Sequence, residues 1–179
     1  MKSVEAIKIL HRCDLEGRIL FRSRELGALF DEHGDTLRST IKRLTIDGIL
    51  ERVAHDAYLY LLFHPNGCDL LGHIAAFLRP GGATYESLES AASQWGFISQ
   101  IPLGRISCVT TGAEGLVDTR FGAIEFVHTD DDLDAVKRGI IDRMPRNRLP
   151  IATEERCLHD LVSRKRSLEL IDWDEVDID

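Results

Sequence analysis

FRSRELGALFDEHGDTLRSTIKRLTIDGILERVAHDAYLY, running from Phe21 to Tyr60, carries the strongest local pattern in the chain. Ser23 is a residue type that caps helices, and Leu26, Leu29 and Phe30 follow it on one helical face. Gly34 closes that short helix, and Asp35 or Thr36 can cap the next one. The sharpest periodicity runs from about Thr36 to Asp47. Leu37, Ile41 and Leu44 recur at helical spacing and predict a core-facing stripe, while Arg38, Ser39, Lys42 and Arg43 fall on the other side. Gly48 stands where a helix commonly ends in left-handed backbone. Ile49, Leu50 and Val53 then predict a strand, Tyr58 to Leu62 a second, and His55-Asp56 the turn between them.

An amphipathic helix with a basic outer face is, alone, an ordinary surface helix. Its neighbours change the reading. Two short helices across a tight turn, followed by a two-stranded ribbon, form a winged helix-turn-helix. In that arrangement the second helix enters the major groove and the ribbon touches the phosphate backbone. Arg38, Ser39 and Lys42 are the candidates for reaching bases. Arg43 and Arg52 are the candidates for phosphates, with Arg22 and Arg24 at the start of the preceding helix as further ones. The ribbon turn is not basic, and Asp56 would face phosphates unfavourably, so Arg52 is the expected ribbon contact.

Outward from this stretch, Val4 to Cys13 has helical spacing, Asp14 to Gly17 breaks it, and Ile19-Leu20-Phe21 reads as a strand or a turn. On the other side His64-Pro65-Asn66-Gly67 marks the expected domain boundary. Leu70 to Leu78 reads as a helix ended by Pro80-Gly81-Gly82, and Tyr85 to Trp95 as another, closed by Gly96. The period then becomes that of strands. Ile106, Cys108 and Thr110 alternate, and Gly115 to Thr119 with Ala123 to Thr129 flank a hairpin turn at Arg120-Phe121-Gly122. Val136 to Arg148 fits helix or strand. Thr153 caps a last helix with Cys157, Leu158, Leu161 and Val162 on its buried face. The expected fold class is α+β. A winged helix-turn-helix fills residues 1–64, a small mixed α/β domain residues 68–170, and an acidic tail residues 171–179.

Charge divides the chain in the same place. Residues 1–62 hold ten basic and ten acidic residues; the remainder holds twelve and twenty, which accounts for the whole net charge of -8. That asymmetry suits two modules with different partners, and equally a soluble acidic surface. No apolar run approaches the roughly 20 residues that span a bilayer, and the first residues do not form a signal peptide, so no membrane role is expected. Cys13, Cys68, Cys108 and Cys157 lack C-x-x-C spacing, which points to reduced thiols and the cytoplasm.

Catalytic signatures are missing: there is no Walker loop, no G-x-S-x-G, no G-x-G-x-x-G and no H-E-x-x-H. His11 with Cys13, His64 with Cys68, and Cys157 with His159 are pairs, whereas a zinc site wants about four ligands. Asp130, Asp131, Asp132 and Asp134 read as a solvated loop. The weakest alternative is a hydrolase using that cluster with a divalent ion. A stronger one is a winged-helix protein-interaction module that does not bind DNA. No enzyme activity, metal or cofactor is expected.

From Gly81 onward, GGATYESLESAASQWGFISQIP, VTTG at 109–112, FGAIEFVHT at 121–129 and PIATEERCLHDLV at 150–162 resemble, in order, the AbiEi family. These are antitoxins of type IV toxin–antitoxin systems that also act as repressors and begin with a winged helix-turn-helix. The resemblance implies an autorepressor binding double-stranded DNA with inverted repeats in its own promoter. Either a monomer binds each half-site cooperatively or a dimer binds both. It also implies that the C-terminal region counters a nucleotidyltransferase-like toxin without forming a stable complex.

Overall fold

A computed structural model describes residues 1–63, 69–80, 83–100, 103–143 and 149–173. The boundary expected at 64–67, Gly81-Gly82, the end of the ambiguous 136–148 stretch and most of the acidic tail lie outside the described residues. The chain is α+β and divides into two compact units, residues 1–67 and 68–179.

The first unit opens with α1 (Ser3–Leu15), which buries Ala6, Leu10 and Cys13. The Ile19-Leu20-Phe21 run becomes a short strand, β1 (Leu20–Phe21). Next come α2 (Ser23–Phe30) and α3 (Gly34–Ile46). The chain then forms the hairpin β2 (Leu50–Ala54) and β3 (Ala57–Tyr60). The three strands make one antiparallel sheet in the order β1-β3-β2, with Phe21 opposite Tyr58 and Leu50 opposite Tyr60. Phe21, Leu26, Phe30, Ile41, Leu44 and Tyr60 share the core between helices and sheet. Burying each large apolar side chain stabilises the fold by about 1.5–3 kcal/mol. Gly48 sits at φ +68, so the chain leaves α3 for β2 without the steric cost a side chain would add.

Ser23 does not cap α2, as its residue type suggested. It is the first helical residue, and its amide donates to the Asp56 carboxylate at 2.9 Å, across from the hairpin turn. A side chain 33 positions away thus takes one of the helix's first amides, while Glu25 takes the Arg22 amide at 2.6 Å. Asp56 takes the left-handed backbone the two-residue turn needs, at φ 53, and its own carbonyl accepts a bond from Arg22. Its carboxyl is held below the ordinary value, chiefly by the bond with Ser23, against the opposing effect of burial. Because the folded value is depressed, this contribution is present above the unfolded value near 3.8 and is lost as pH falls through the depressed one. Asp56→Ala should cost about 1 kcal/mol in urea unfolding at pH 7. The gap from the native chain should narrow below about pH 4; an unchanged gap there would assign the loss to another contact.

The second unit begins with α4 (Leu70–Leu78), capped by Asp69. Residues expected as one helix from Tyr85 to Trp95 instead divide into β4 (Thr84–Glu86) and α5 (Leu88–Trp95). Tyr85 and Glu86 are taken up by strand pairing with Val109 and Cys108. Leu88, wholly buried at φ 56, turns the backbone into the helix. There follow β5 (Arg105–Thr110), β6 (Gly115–Thr119), β7 (Gly122–His128), α6 (Leu133–Arg138), β8 (Ile140–Ile141), β9 (Ile151–Ala152) and α7 (Glu154–Arg164). The six strands align as β6-β7-β5-β4-β9-β8, with β5–β7 and β4–β9 parallel. Helices α5 and α7 pack together over a core of Tyr85, Leu88, Val109, Cys157 and Leu161, and α4 packs on β4, β5 and β7.

A buried carboxylate joins α7 to the sheet. Asp160 is fully buried and accepts from Tyr85 Oη at 3.0 Å and Ser87 Oγ at 2.8 Å. Arg156 Nε lies 3.1 Å and Arg164 Nη1 3.3 Å from its other oxygen. Arg156 also pairs with Asp131 and donates to Tyr85 Oη. Beside this hub, Arg166 grips Glu89 with two bonds of 3.0 and 2.9 Å and reaches Glu125 at 2.9 Å.

Candidate nucleic-acid interface

Helix α3 sorts its side chains by depth. Thr40, Ile41 and Leu44 are buried, while Arg38, Ser39, Lys42 and Arg43 are exposed. Arg38 pairs with Asp35 one turn earlier, at 2.8 Å, with both side chains largely in solvent. Such a pair is weak and screened by salt, so it exchanges readily for another anion. Arg43 points elsewhere, donating to the Met1 carbonyl.

Between α3 and the hairpin lies an open groove of about 550 Å³. Leu37, Ile41, Ile46 and Tyr58 supply its apolar surface; Arg38, Lys42 and Arg52 supply three cations around it. Arg52 is exposed, and its Nε donates to Ala54 in the same strand at 3.3 Å. Arg22 and Arg24 stand at the start of α2, where Arg22 is engaged with the Asp56 carbonyl and Arg24 is exposed. The structure therefore brings Arg38, Lys42 and Arg52 to one groove, with Ser39 beside them on α3. It keeps Arg43 on the Met1 carbonyl and Arg22 on the hairpin turn. Thr45, Ile46 and Tyr58 line the groove too, and none of them was among the expected contacts. Helical spacing carried a signal for two of them. Thr45 stands seven residues after Arg38 and Ile46 four after Lys42, so each lies on nearly the same side of the helix as its cation.

Asp56 is turned toward the amide of Ser23, so its charge is held against α2. The turn's acidity is thus committed to a structural bond, while Arg38, Lys42 and Arg52 line the groove.

In the second unit the acidic cluster has structural duties. Asp130 contacts His128 at 3.1 Å, Asp131 pairs with Arg156, and Asp132 caps α6 through the Ala135 amide at 2.7 Å. Among the described residues no three His, Cys, Asp or Glu side chains converge on a metal position. Cys13, Cys108 and Cys157 are free and buried. Burial pushes the Cys157 thiol up to about 12 and the Cys108 thiol well above its ordinary value, so both are held as unreactive thiols. Cys68 and His64 lie outside the described residues. Among the described residues no helix is long and apolar enough to cross a membrane.

The fold is that of a two-unit α+β chain. No family model and no curated protein matches it. Among solved structures it is similar to the crystal structure of the RV2827C protein from Mycobacterium tuberculosis, with a TM-score of 0.63 at 16% identity. The match covers 90% of this chain and 61% of that one, so this chain spans less than two thirds of its neighbour's length. A likeness at that identity is one of fold.

Proposed function

We propose that the first unit is a winged helix-turn-helix and that this chain is a sequence-specific DNA-binding repressor of its own transcription. Helix α3 reads bases in the major groove, and the β2–β3 hairpin lies against the phosphate backbone. The observation that carries this reading is the pair of exposed cations Arg38 and Lys42 on α3, lining one groove with Arg52 of the hairpin, with Ser39 exposed beside them. Its partner is double-stranded DNA with inverted repeats, met in the cytoplasm. The second role, countering a nucleotidyltransferase-like toxin without a stable complex, rests on the AbiEi resemblance. The blocks that carry it span β4 with α5, the end of β5 (Val109-Thr110), β7, and β9 with α7.

Fluorescence anisotropy with the duplex immediately upstream of this chain's reading frame tests the repressor. Binding should exceed that to a scrambled duplex, and log affinity should fall linearly with log salt. Each phosphate-contacting cation adds about 0.9 to the slope, so Arg52→Ala should reduce it by about that much. Equal affinity for both duplexes at every salt concentration would remove the sequence-specific reading. Capture of a partner protein, with no DNA bound even at low salt, would favour the interaction-module alternative.

A further inference from the structure

The last turn of α3 presents different chemistry to the groove from the exposed cations before it. Arg38 and Lys42 are cationic, but the next residues lining the groove, Thr45 and Ile46, offer hydrocarbon. Ile46 is 74% exposed and stands at the end of the helix, where it borders the groove. Thr45 is exposed as well, yet its hydroxyl is already committed, donating to the Ile41 carbonyl at 3.0 Å. Its donor is therefore used; what it presents outward is its methyl and a hydroxyl oxygen able only to accept. Tyr58, from β3, lines the same groove.

An exposed apolar patch calls for an occupant, and the surrounding charge selects one. Three cations, Arg38, Lys42 and Arg52, line the same groove, so whatever enters carries negative charge together with a local apolar group. Duplex DNA has one apolar group on its major-groove edge, the C5 methyl of thymine. Eight residues of helix separate Arg38 from Ile46, a rise of about 12 Å. That matches roughly three to four base-pair steps at about 3.4 Å each.

We infer that Ile46 and the Thr45 methyl form a thymine-reading contact, so that α3 recognises a site with a thymine about three to four base pairs from the base that Arg38 contacts. The inference rests on the DNA-binding reading above and sharpens it. Arg38 brings hydrogen-bonding and charge to one end of the half-site, with Lys42 about 6 Å further along the helix. Ile46 and Thr45 bring shape and dryness to the other, where a cytosine lacks the methyl.

The experiment uses the full chain, the upstream duplex, and a copy of that duplex with every thymine replaced by deoxyuridine. Losing a buried methyl should weaken binding about fourfold for each thymine contacted. Ile46→Ala should lower affinity for the thymine duplex while leaving the deoxyuridine duplex bound as before. The thymine preference should therefore shrink in the variant, and this coupling separates a methyl contact from a change in duplex shape. Thr45→Ser, which deletes only the methyl, should reproduce part of the effect with the fold intact by thermal melting. Equal binding of the two duplexes by the native chain, or an undiminished preference in Ile46→Ala, overturns the inference while leaving DNA binding standing. A change in oligomeric state in Ile46→Ala without a change in DNA affinity also overturns it, because the patch then meets a second copy. Failure to bind either duplex above a scrambled control removes the DNA-binding reading and this inference together.

Discussion

Asp160→Ala should cost the second unit about 3–5 kcal/mol, the range for breaking a buried ion pair by removing one partner. Asp160 is fully buried, so its charge is tolerable only because four groups satisfy it: Tyr85, Ser87, Arg156 and Arg164. Alanine removes the acceptor and leaves the donors where they were. The Ser87 hydroxyl loses its partner in a buried position, and the Arg156 guanidinium is left with Asp131 and Tyr85. At about 4–8 °C per kcal/mol for a domain of this size, the unfolding midpoint of the second unit should fall by roughly 12 °C or more. Asp160→Asn, which keeps the shape and one acceptor, should fall between the native chain and alanine. Val162, expected on the buried face of α7, is instead 49% exposed, so Val162→Ala should stay within about 0.5 kcal/mol and serves as the control. Differential scanning calorimetry gives the comparison; equal midpoints for Asp160→Ala and Val162→Ala would mean the hub contributes nothing net.

Arg38→Ala combined with Lys42→Ala should weaken binding to the upstream duplex about 30-fold or more, at a cost of about 1–3 kcal/mol for each base-reading side chain. Both side chains are exposed, so thermal melting should be unchanged and the loss should lie in recognition alone. The Arg38–Asp35 pair gives a further handle, since both partners stand in solvent and the arginine can leave for a base edge. Affinity for a scrambled duplex should fall far less, so the specificity ratio should collapse. That separates these residues from Arg52, whose loss should act on all duplexes alike through the salt slope. Unchanged affinity in the double variant would move the reading surface off α3.

The proposed interface therefore has a division of labour that could not be seen from residue types. Seven residues were expected to meet DNA. Arg38, Lys42 and Arg52 share a groove, with Ser39 exposed alongside. Arg43 is engaged with the Met1 carbonyl, Arg22 with the Asp56 carbonyl, and Arg24 stands exposed at the start of α2. Asp56 looked like an obstacle to phosphate contact, and its carboxylate instead holds the hairpin against α2.

What the linear order of residues determined was periodicity. Leu37, Ile41 and Leu44 at helical spacing, with Gly48 after them, suffice to place α3 to within two residues at either end and to say which side faces the core. The change to alternation after residue 102 marked the sheet of the second unit, and Thr153 marked the start of α7. These are local preferences, decided by neighbours within about one turn or one pleat. What only the tertiary structure decided involves partners far apart in the chain. Tyr85 and Glu86 fit a helix continuous with Leu88 to Trp95, yet strand pairing with Val109 and Cys108 claims them. Asp160 looks like an ordinary polar residue beside Leu161 until Tyr85, 75 positions earlier, is brought within hydrogen-bond distance of it. Ser23 was a credible cap until the hairpin carried Asp56 to its amide. In each case the deciding energy comes from a contact whose loop must first be closed, and no window of sequence contains both of its ends.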